Sequence, residues 1–536
     1  MRSQQSVPRL RSGTKASSQR SVGSGPAEFG ISHRSATRSE MPGSATHSSL
    51  VTRLLVTLRQ AQCGARHFFS SSIGGLLRTQ GDVARNVSTC SSVTSTTLLQ
   101  AQGGAPHSAF RTPHFPNTPH SSLRTTVISL LLALSPVSAM LLIPMDNTQT
   151  DHLKAYGIVY AMLKDGQKVF WCLNYRGGSF VANEVDKFEL KARVDGVEIQ
   201  KISAADWAAI IALIESSNMD KVTLEKAPKI AVYTPPSKLP WDDAVTMALT
   251  YAAIPYDKVY DREVVTGKLS NYDWLHLHHE DFTGQYSKFY GSFRNADWYQ
   301  RQKMELENLS SSLGFKKVTE LKKAVALTVR KFVENGGFLF AMCNATNTLD
   351  IALAALGTDI VAAQYDGDGI DPQYQQKLNF ANCMAFENFS LQTDPFAGNF
   401  DNIDVNCVNT PLRKPARDFE LFDFSAKIDP VPTMLTQDHS RVIPAYYGLL
   451  TSFNKDVIKK SVIVLGNVPG TNMVNYIHGV VGKGMFAFLG GHDPEDQTHA
   501  VGDKATNLEL HKNSPGYRLI LNNVLFPAAE KKEKKT

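Results

Sequence analysis

The chain has few cysteines, six in 536 residues, and contains no Cys-x-x-Cys pair and no Cys/His ladder. That excludes a disulfide scaffold and a zinc finger. It has no Gly-x-x-x-x-Gly-Lys-Ser/Thr loop, so no sequence feature provides a phosphate cradle for ATP. Acidic residues are scarce at its start. The first 139 residues carry 14 Lys and Arg against Glu28, Glu40 and Asp82, and the remainder holds 42 basic and 47 acidic residues. The formal net charge of +6 therefore belongs to the leader, and residues 140–536 stand at −5. No Lys/Arg stripe with interleaved aromatics survives there, which argues against a nucleic-acid partner. Long apolar runs are absent as well. The run from Val127 to Leu134 is too short for a bilayer core of about 30 Å, so no stable membrane span is expected.

Residues 1–123 are rich in Ser, Thr, Ala, Gly and Arg and show no sustained helical or strand period. Such a segment cannot bury enough apolar surface to offset its ordering entropy, and it reads as a disordered leader. Residues 124–139 are sharper. Arg124, the apolar run and Pro136-Val137-Ser138-Ala139 form the charged, apolar and small-x-small parts of a signal peptide cut after Ala139. The expectation is a periplasmic or secreted protein. No Met lies between Met41 and Met140, and a translation start near Leu123 rather than at Met1 is the preferred explanation for so long a leader.

From Met140 onward strand-like and helix-like segments alternate, which predicts an α/β fold with a doubly wound, mostly parallel sheet. A small N-terminal α/β lobe is expected over 140–227, with strands at 141–144 and 169–175 and helices at 151–164 and 204–216. The larger lobe, 228–527, has predicted strands at 229–234, 273–278, 338–342, 462–468 and 485–489. Its predicted helices include one burying Ala244, Val245, Ala248, Leu249 and Ala252, a second over 319–334 and a closing one over 517–525. Residues 282–318 and 366–460 break this rhythm and read as insertions, and the Lys-rich end, 528–536, reads as a solvated tail.

In open α/β sheets ligands bind beyond the carboxyl ends of the strands. Three polar clusters fall there: His276-Leu277-His278-His279-Glu280-Asp281, Cys343-Asn344 and His492-Asp493-Pro494-Glu495. Cys343 sits between an apolar strand and a helix expected to begin near 346–350. There helix amides can favour a thiolate and donate to an oxyanion; a small buried hydrophobe is the bland alternative. Cys172 reads as core, and Cys383 and Cys407 could pair after export. The competing reading is a metal site. His276 and His278 share one strand face, and Glu280, Asp281, His492, His499 or Asp503 could complete a three-ligand set with an open position. A third is a non-catalytic binding lobe, in which Arg176 and the Gly177-Gly178 turn hold a carboxylate or sugar. The alternative for Arg176 is a surface ion pair.

The strand ending in Cys343, and the later strand ending in His492 with Glu495 three residues on, resemble the class I glutamine amidotransferase-like (flavodoxin-like) fold over about 228–527. The resemblance implies that Cys343 attacks an amide or related acyl carbon, His492 carries the proton and Glu495 orients the imidazole. Here the elbow reads Ala341-Met342-Cys343-Asn344-Ala345, where that family usually has Gly-x-Cys-x-Gly. The mature chain also resembles an exported bacterial family commonly labelled asparagine synthetase B. The shared segments are Leu142-Ile143-Pro144-Met145-Asp146, Asn174-Tyr175-Arg176-Gly177-Gly178-Ser179-Phe180, Pro240-Trp241-Asp242-Asp243-Ala244-Val245-Thr246, His276 through Gln285, and Gly490-Gly491-His492-Asp493-Pro494-Glu495-Asp496. That label implies glutamine-dependent asparagine synthesis, yet the sequence shows no N-terminal catalytic Cys and no Ser-Gly-Gly-x-Asp-Ser loop.

Together these readings predict a Cys-dependent hydrolase with glutaminase-type chemistry. Cys343, His492 and Glu495 would be catalytic, and Arg176, Gly177, Gly178, His278, His279, Glu280 and Asn344 would bind a small amide or acyl ligand. No cofactor is predicted, with a metal ion on His276, His278, His492 and His499 as the alternative. The oligomeric state stays open.

Overall fold

A computed structural model describes residues 139–237, 243–405, 417–429, 431–495 and 504–530. The expected leader, all of the expected signal peptide except Ala139, Cys407, His499, Asp503 and the end of the Lys-rich tail lie outside the described residues.

Two sheets form. The first takes β1 (Met140–Ile143), β2 (Val169–Leu173), β3 (Ser179–Asn183), β4 (Gln200–Ile202) and β5 (Asp220–Leu224) in the order β4-β1-β3-β2-β5. Every pairing in it is antiparallel. Its helices are α1 (His152–Lys164), α2 (Asp186–Asp195) and α3 (Ala204–Ser216). The α3 start is fixed by a capping box, in which Ser203 Oγ accepts from Asp206 N and the Asp206 carboxylate accepts from Ser203 N, satisfying two amides at the helix end.

The second sheet has ten strands: β6 (Ile230–Tyr233), β7 (Asp257–Val259), β8 (Trp274–Leu277), β9 (Phe338–Met342), β10 (Phe419–Leu421), β11 (Val442–Ile443), β12 (Phe453–Asn454), β13 (Ile463–Asn467), β14 (Met473–Val481) and β15 (Gly484–Leu489). The order is β11-β10-β13-β14-β15-β9-β8-β6-β7, with β12 beside β14. The α-helices of five residues or more around it, among the described residues, are α4 (Ala244–Tyr251), α5 (Asp261–Val265), α6 (Asp297–Ser312), α7 (Val318–Glu334), α8 (Asn344–Ala354) and α9 (Pro515–Leu525). The α4 and α9 helices share a core with α1 and the first sheet, whereas α7 and α8 belong to a second core.

This topology corrects the expectation of a doubly wound, mostly parallel sheet. Only the β7-β6-β8-β9-β15 segment is parallel, and every pairing from β15 through β14, β13 and β10 to β11 is antiparallel. The cause is connection length. A parallel crossover needs a dozen or more residues, but β14 and β15 are joined by Gly482-Lys483 alone, with Gly482 at φ 62°. That two-residue turn closes a hairpin. The first lobe likewise carries an antiparallel sheet rather than strands wound in parallel.

Cys172 is core, as expected. Cys383 is a buried free thiol whose Sγ donates to Asp350 O at 3.3 Å. Among the described residues no helix is long and apolar enough to cross a membrane.

Candidate functional site around Cys343 and four histidines

The central strand β9 is buried along its whole length and is flanked by parallel neighbours on both sides. Cys343 follows at once, and α8 begins at Asn344 with no intervening loop, earlier than the sequence suggested. So abrupt a reversal places Cys343 at φ 50°, ψ −135°, a left-handed conformation that costs a non-glycine residue on the order of 1–3 kcal/mol. Ala341 and Ala345 are buried and neither has a positive φ. The strain therefore falls on the cysteine alone, and the alanines at the family's glycine positions are accommodated. The turn is held by Cys343 N donating to Leu489 O at 3.0 Å and by Thr346 N and Oγ1 donating to Cys343 O at 3.1 and 2.6 Å.

The sulfur is fully buried. Leu449 N and Leu450 N approach it at 3.2 and 3.5 Å. Burial pushes the thiol up to about 11 against the pull of the Leu450, Asn344 and Leu449 amides, and Asp404 adds to the rise. The Leu449 and Leu450 amides belong to a strap, 446–451, laid across the end of β15. Gly491 N donates to Leu450 O at 2.6 Å, His492 N to Tyr447 O at 2.7 Å and Tyr447 N to Asp493 O at 3.0 Å.

The strap was not singled out in the sequence, because it lies in a segment that read as an insertion. Its Gly448 sits where any Cβ would lie 2.9 Å from both Cys343 Sγ and His492 Cδ2. The two predicted catalytic residues thus face the same glycine. Glu495 has a different partner, its Oε2 lying 3.1 Å from His511 Nδ1.

His492 joins three histidines from the end of β8. Ring centroids are 4.0 Å apart for His278 and His279, 4.9 Å for His278 and His492, and 5.4 Å for His279 and His492. His276 lies one step back along the strand, 5.9 Å from His278. All four are buried. Asp243, legible in the sequence only within a shared family segment, reaches the same place. Its Oδ1 caps α4 by accepting from Val245 N and Thr246 N at 2.8 and 3.0 Å. Burial would raise its pKa, but His278 and His276 hold it well below the usual carboxylate range. Two groups in this cluster could hold a metal ion: His278, His279 and His492, and Asp243, His276 and His278.

Glu280 is pushed up to about 7 by burial, a rise that Lys322 moderates and Asp261, Asp281 and Asp243 reinforce. Together with His279, Asp281 and Lys322 it lines a cavity of about 20 Å³, room for roughly one water. Asn344 Nδ2 donates to Ser287 Oγ at 3.2 Å, tying α8 to a turn in which Tyr286, Ser287 and Lys288 all have positive φ.

Arg176, Gly177 and Gly178 are used elsewhere. Arg176 Nε pairs with Asp146 Oδ2 at 2.7 Å, and its other nitrogens donate to Gln200 and Thr148. Gly177 O accepts from Arg518, and Gly178 O accepts from Trp171 Nε1 at 3.0 Å. Of these contacts the Gly177 bond to Arg518 ties the turn to α9 while the others stay within the first lobe, and Arg176 is engaged in an ion pair.

No protein-family model and no curated protein matches the sequence. Among solved structures, cytoplasmic protein STM3548 from Salmonella typhimurium is 12% identical over 56% of this chain and all of its own, with a TM-score of 0.28. Cytoplasmic protein STM1381 from Salmonella typhimurium LT2 matches at 12% identity over 56% of this chain and all of its own, with a TM-score of 0.30. A β-galactosidase from Bacillus circulans sp. alkalophilus matches at 13% identity over 55% of this chain and 32% of its own, with a TM-score of 0.22. None of these bears on an asparagine synthetase.

Proposed function

We propose that the protein is a Cys-dependent enzyme acting on an amide or related acyl carbon. The observation that supports this reading is the conformation of Cys343. A strained, non-glycine, left-handed residue at the turn from a central strand into a helix is the backbone arrangement of a nucleophile elbow, and here the strap over 446–451 covers its sulfur. Sγ would attack the carbonyl carbon while His492 takes the thiol proton and returns it to the leaving nitrogen. Water would then hydrolyse the thioester with His492 as base. The amides of Asn344, Leu449 and Leu450, which reach the sulfur, would be the candidate donors to the developing oxyanion. Glu495 has no part in this reading, since its carboxylate is engaged by His511.

The test is hydrolysis of glutamine and of activated esters by the full chain and by Cys343→Ser and His492→Gln variants. Turnover that falls by at least about a hundredfold in both, with unchanged circular dichroism, supports the reading. Turnover that survives loss of the thiol sinks it.

A further inference from the structure

His276 lies on β8 and His278 two residues on, just past its end, and the α4 cap brings Asp243 beside both. His276 Nδ1 lies 3.0 Å from Phe340 O. A carbonyl only accepts, so Nδ1 is the donor in this contact, and Nε2 is the ring nitrogen left to meet another partner. That Nε2 is fully buried, makes no hydrogen bond and points at a carboxylate oxygen, Asp243 Oδ1, 3.7 Å away. His278 Nδ1 lies 3.5 Å from Asp243 Oδ2.

Both separations exceed the reach of a good charge-assisted hydrogen bond, about 2.7–2.9 Å. They run to different oxygens of the one carboxylate, and one ligand atom from each of the three residues lies within 4.8 Å of the others, a set that a small inward adjustment would bring to the roughly 3.3–3.5 Å between atoms bonded at about 2.0–2.2 Å to one tetrahedral ion. Two imidazole nitrogens and a carboxylate converge here in a buried place, a grouping whose side chains could hold a metal ion. The ligands are also held in advance: Asp243 by the two α4 amides it caps, and His276 by the backbone carbonyl that fixes its tautomer, the usual outer-shell partner of a metal-bound imidazole.

We propose that Asp243, His276 and His278 bind one divalent transition-metal ion, with an open side facing His279 and His492. Two imidazoles and a carboxylate suit Zn²⁺, Fe²⁺ or Mn²⁺ and disfavour Mg²⁺ and Ca²⁺. The proposal is independent of the role given to Cys343, because the sulfur is not among the ligands.

The full chain, stripped with a chelator, would be titrated in separate arms with Zn²⁺, Co²⁺, Mn²⁺ and, without oxygen, Fe²⁺, and the occupied form examined by X-ray absorption. One equivalent bound through nitrogen and oxygen, with no sulfur in the shell, is expected. Asp243→Asn, which keeps a capping oxygen, and His278→Gln should each weaken binding by at least about tenfold, whereas Cys343→Ala should bind as the parent does. Failure of all four ions to bind stoichiometrically, a sulfur ligand, or unchanged affinity in both ligand variants would overturn the site. If a variant fails to fold, the ligand count of the parent protein still decides.

Discussion

Gly448 separates Cys343 from His492 by less than a methyl group needs: a Cβ built on it falls 2.9 Å from the sulfur and 2.9 Å from the imidazole carbon Cδ2. The strap residue with no side chain is thus the one that meets both groups, and Gly491 Cα stands 3.1 Å from the same point. Gly448→Ala should force the strap away from the elbow, at an overpacking cost of about 1–3 kcal/mol. Denaturant unfolding should show that loss, and peptide mapping after alkylation should show Cys343 reacting faster, with buried Cys172 as internal control. Unchanged stability and unchanged alkylation would mean that the strap does not seal the thiol.

The strain at Cys343 can be weighed by two truncations. Cys343→Ala removes the sulfur but keeps the Cβ at φ 50°, whereas Cys343→Gly removes both and suits the left-handed backbone. Glycine usually costs roughly 0.5–1 kcal/mol through the unfolded chain, while relief of strain returns about 1–3 kcal/mol. The glycine variant should therefore equal or exceed the alanine variant in stability. A glycine variant weaker by 1 kcal/mol or more, which is about the ordinary penalty, would show that the elbow stores no strain.

His478 lies on β14, fully buried, with no hydrogen bond at either ring nitrogen and an edge-on contact to Phe526. Burial drives its pKa down to about 3. The unfolded chain takes up a proton near pH 6.5 that the folded chain refuses until about 3, so stability held above pH 6.5 is lost progressively as the pH falls. At pH 5 this one group costs about 2 kcal/mol. His478→Leu should raise the melting temperature at pH 5 more than at pH 8. An equal shift at both pH values would assign the gain to packing alone.

The parts of the fold legible in the sequence are those where one apolar run makes one element. Phe338–Met342 and Ala204–Ser216 form at the predicted limits, the latter because its start carries a capping box. The antiparallel half of the large sheet was hidden for two reasons. β10, β11 and β12 are two or three residues long, too short to show a period, and β14 interrupts its apolar residues with Asn475, His478 and Gly479. The Gly482-Lys483 turn was a readable hairpin signal that the alternation of strands and helices outweighed. α6 was lost inside a presumed insertion because its buried face is narrow, with Tyr299, Leu306 and Ser310.

At the site, Cys343, His276, His278, His279 and His492 were legible because they end strands. Asp243 stood only in a shared family segment just before a predicted helix, and nothing local marked Gly448. The pairing of Glu495 with His511 depends on a contact that spacing cannot reveal.

The ends of the large sheet have a consequence for how copies of this chain meet. Its rims are β7, three residues, and β11, two residues, and in the first sheet the bridge from Leu224 to Ala529 covers part of β5. Exposed strand edges recruit other chains by lending them rows of unpaired amides and carbonyls. Rims this short offer a visiting strand too few partners to hold it, so the ends of the large sheet give little purchase for fibre-like stacking.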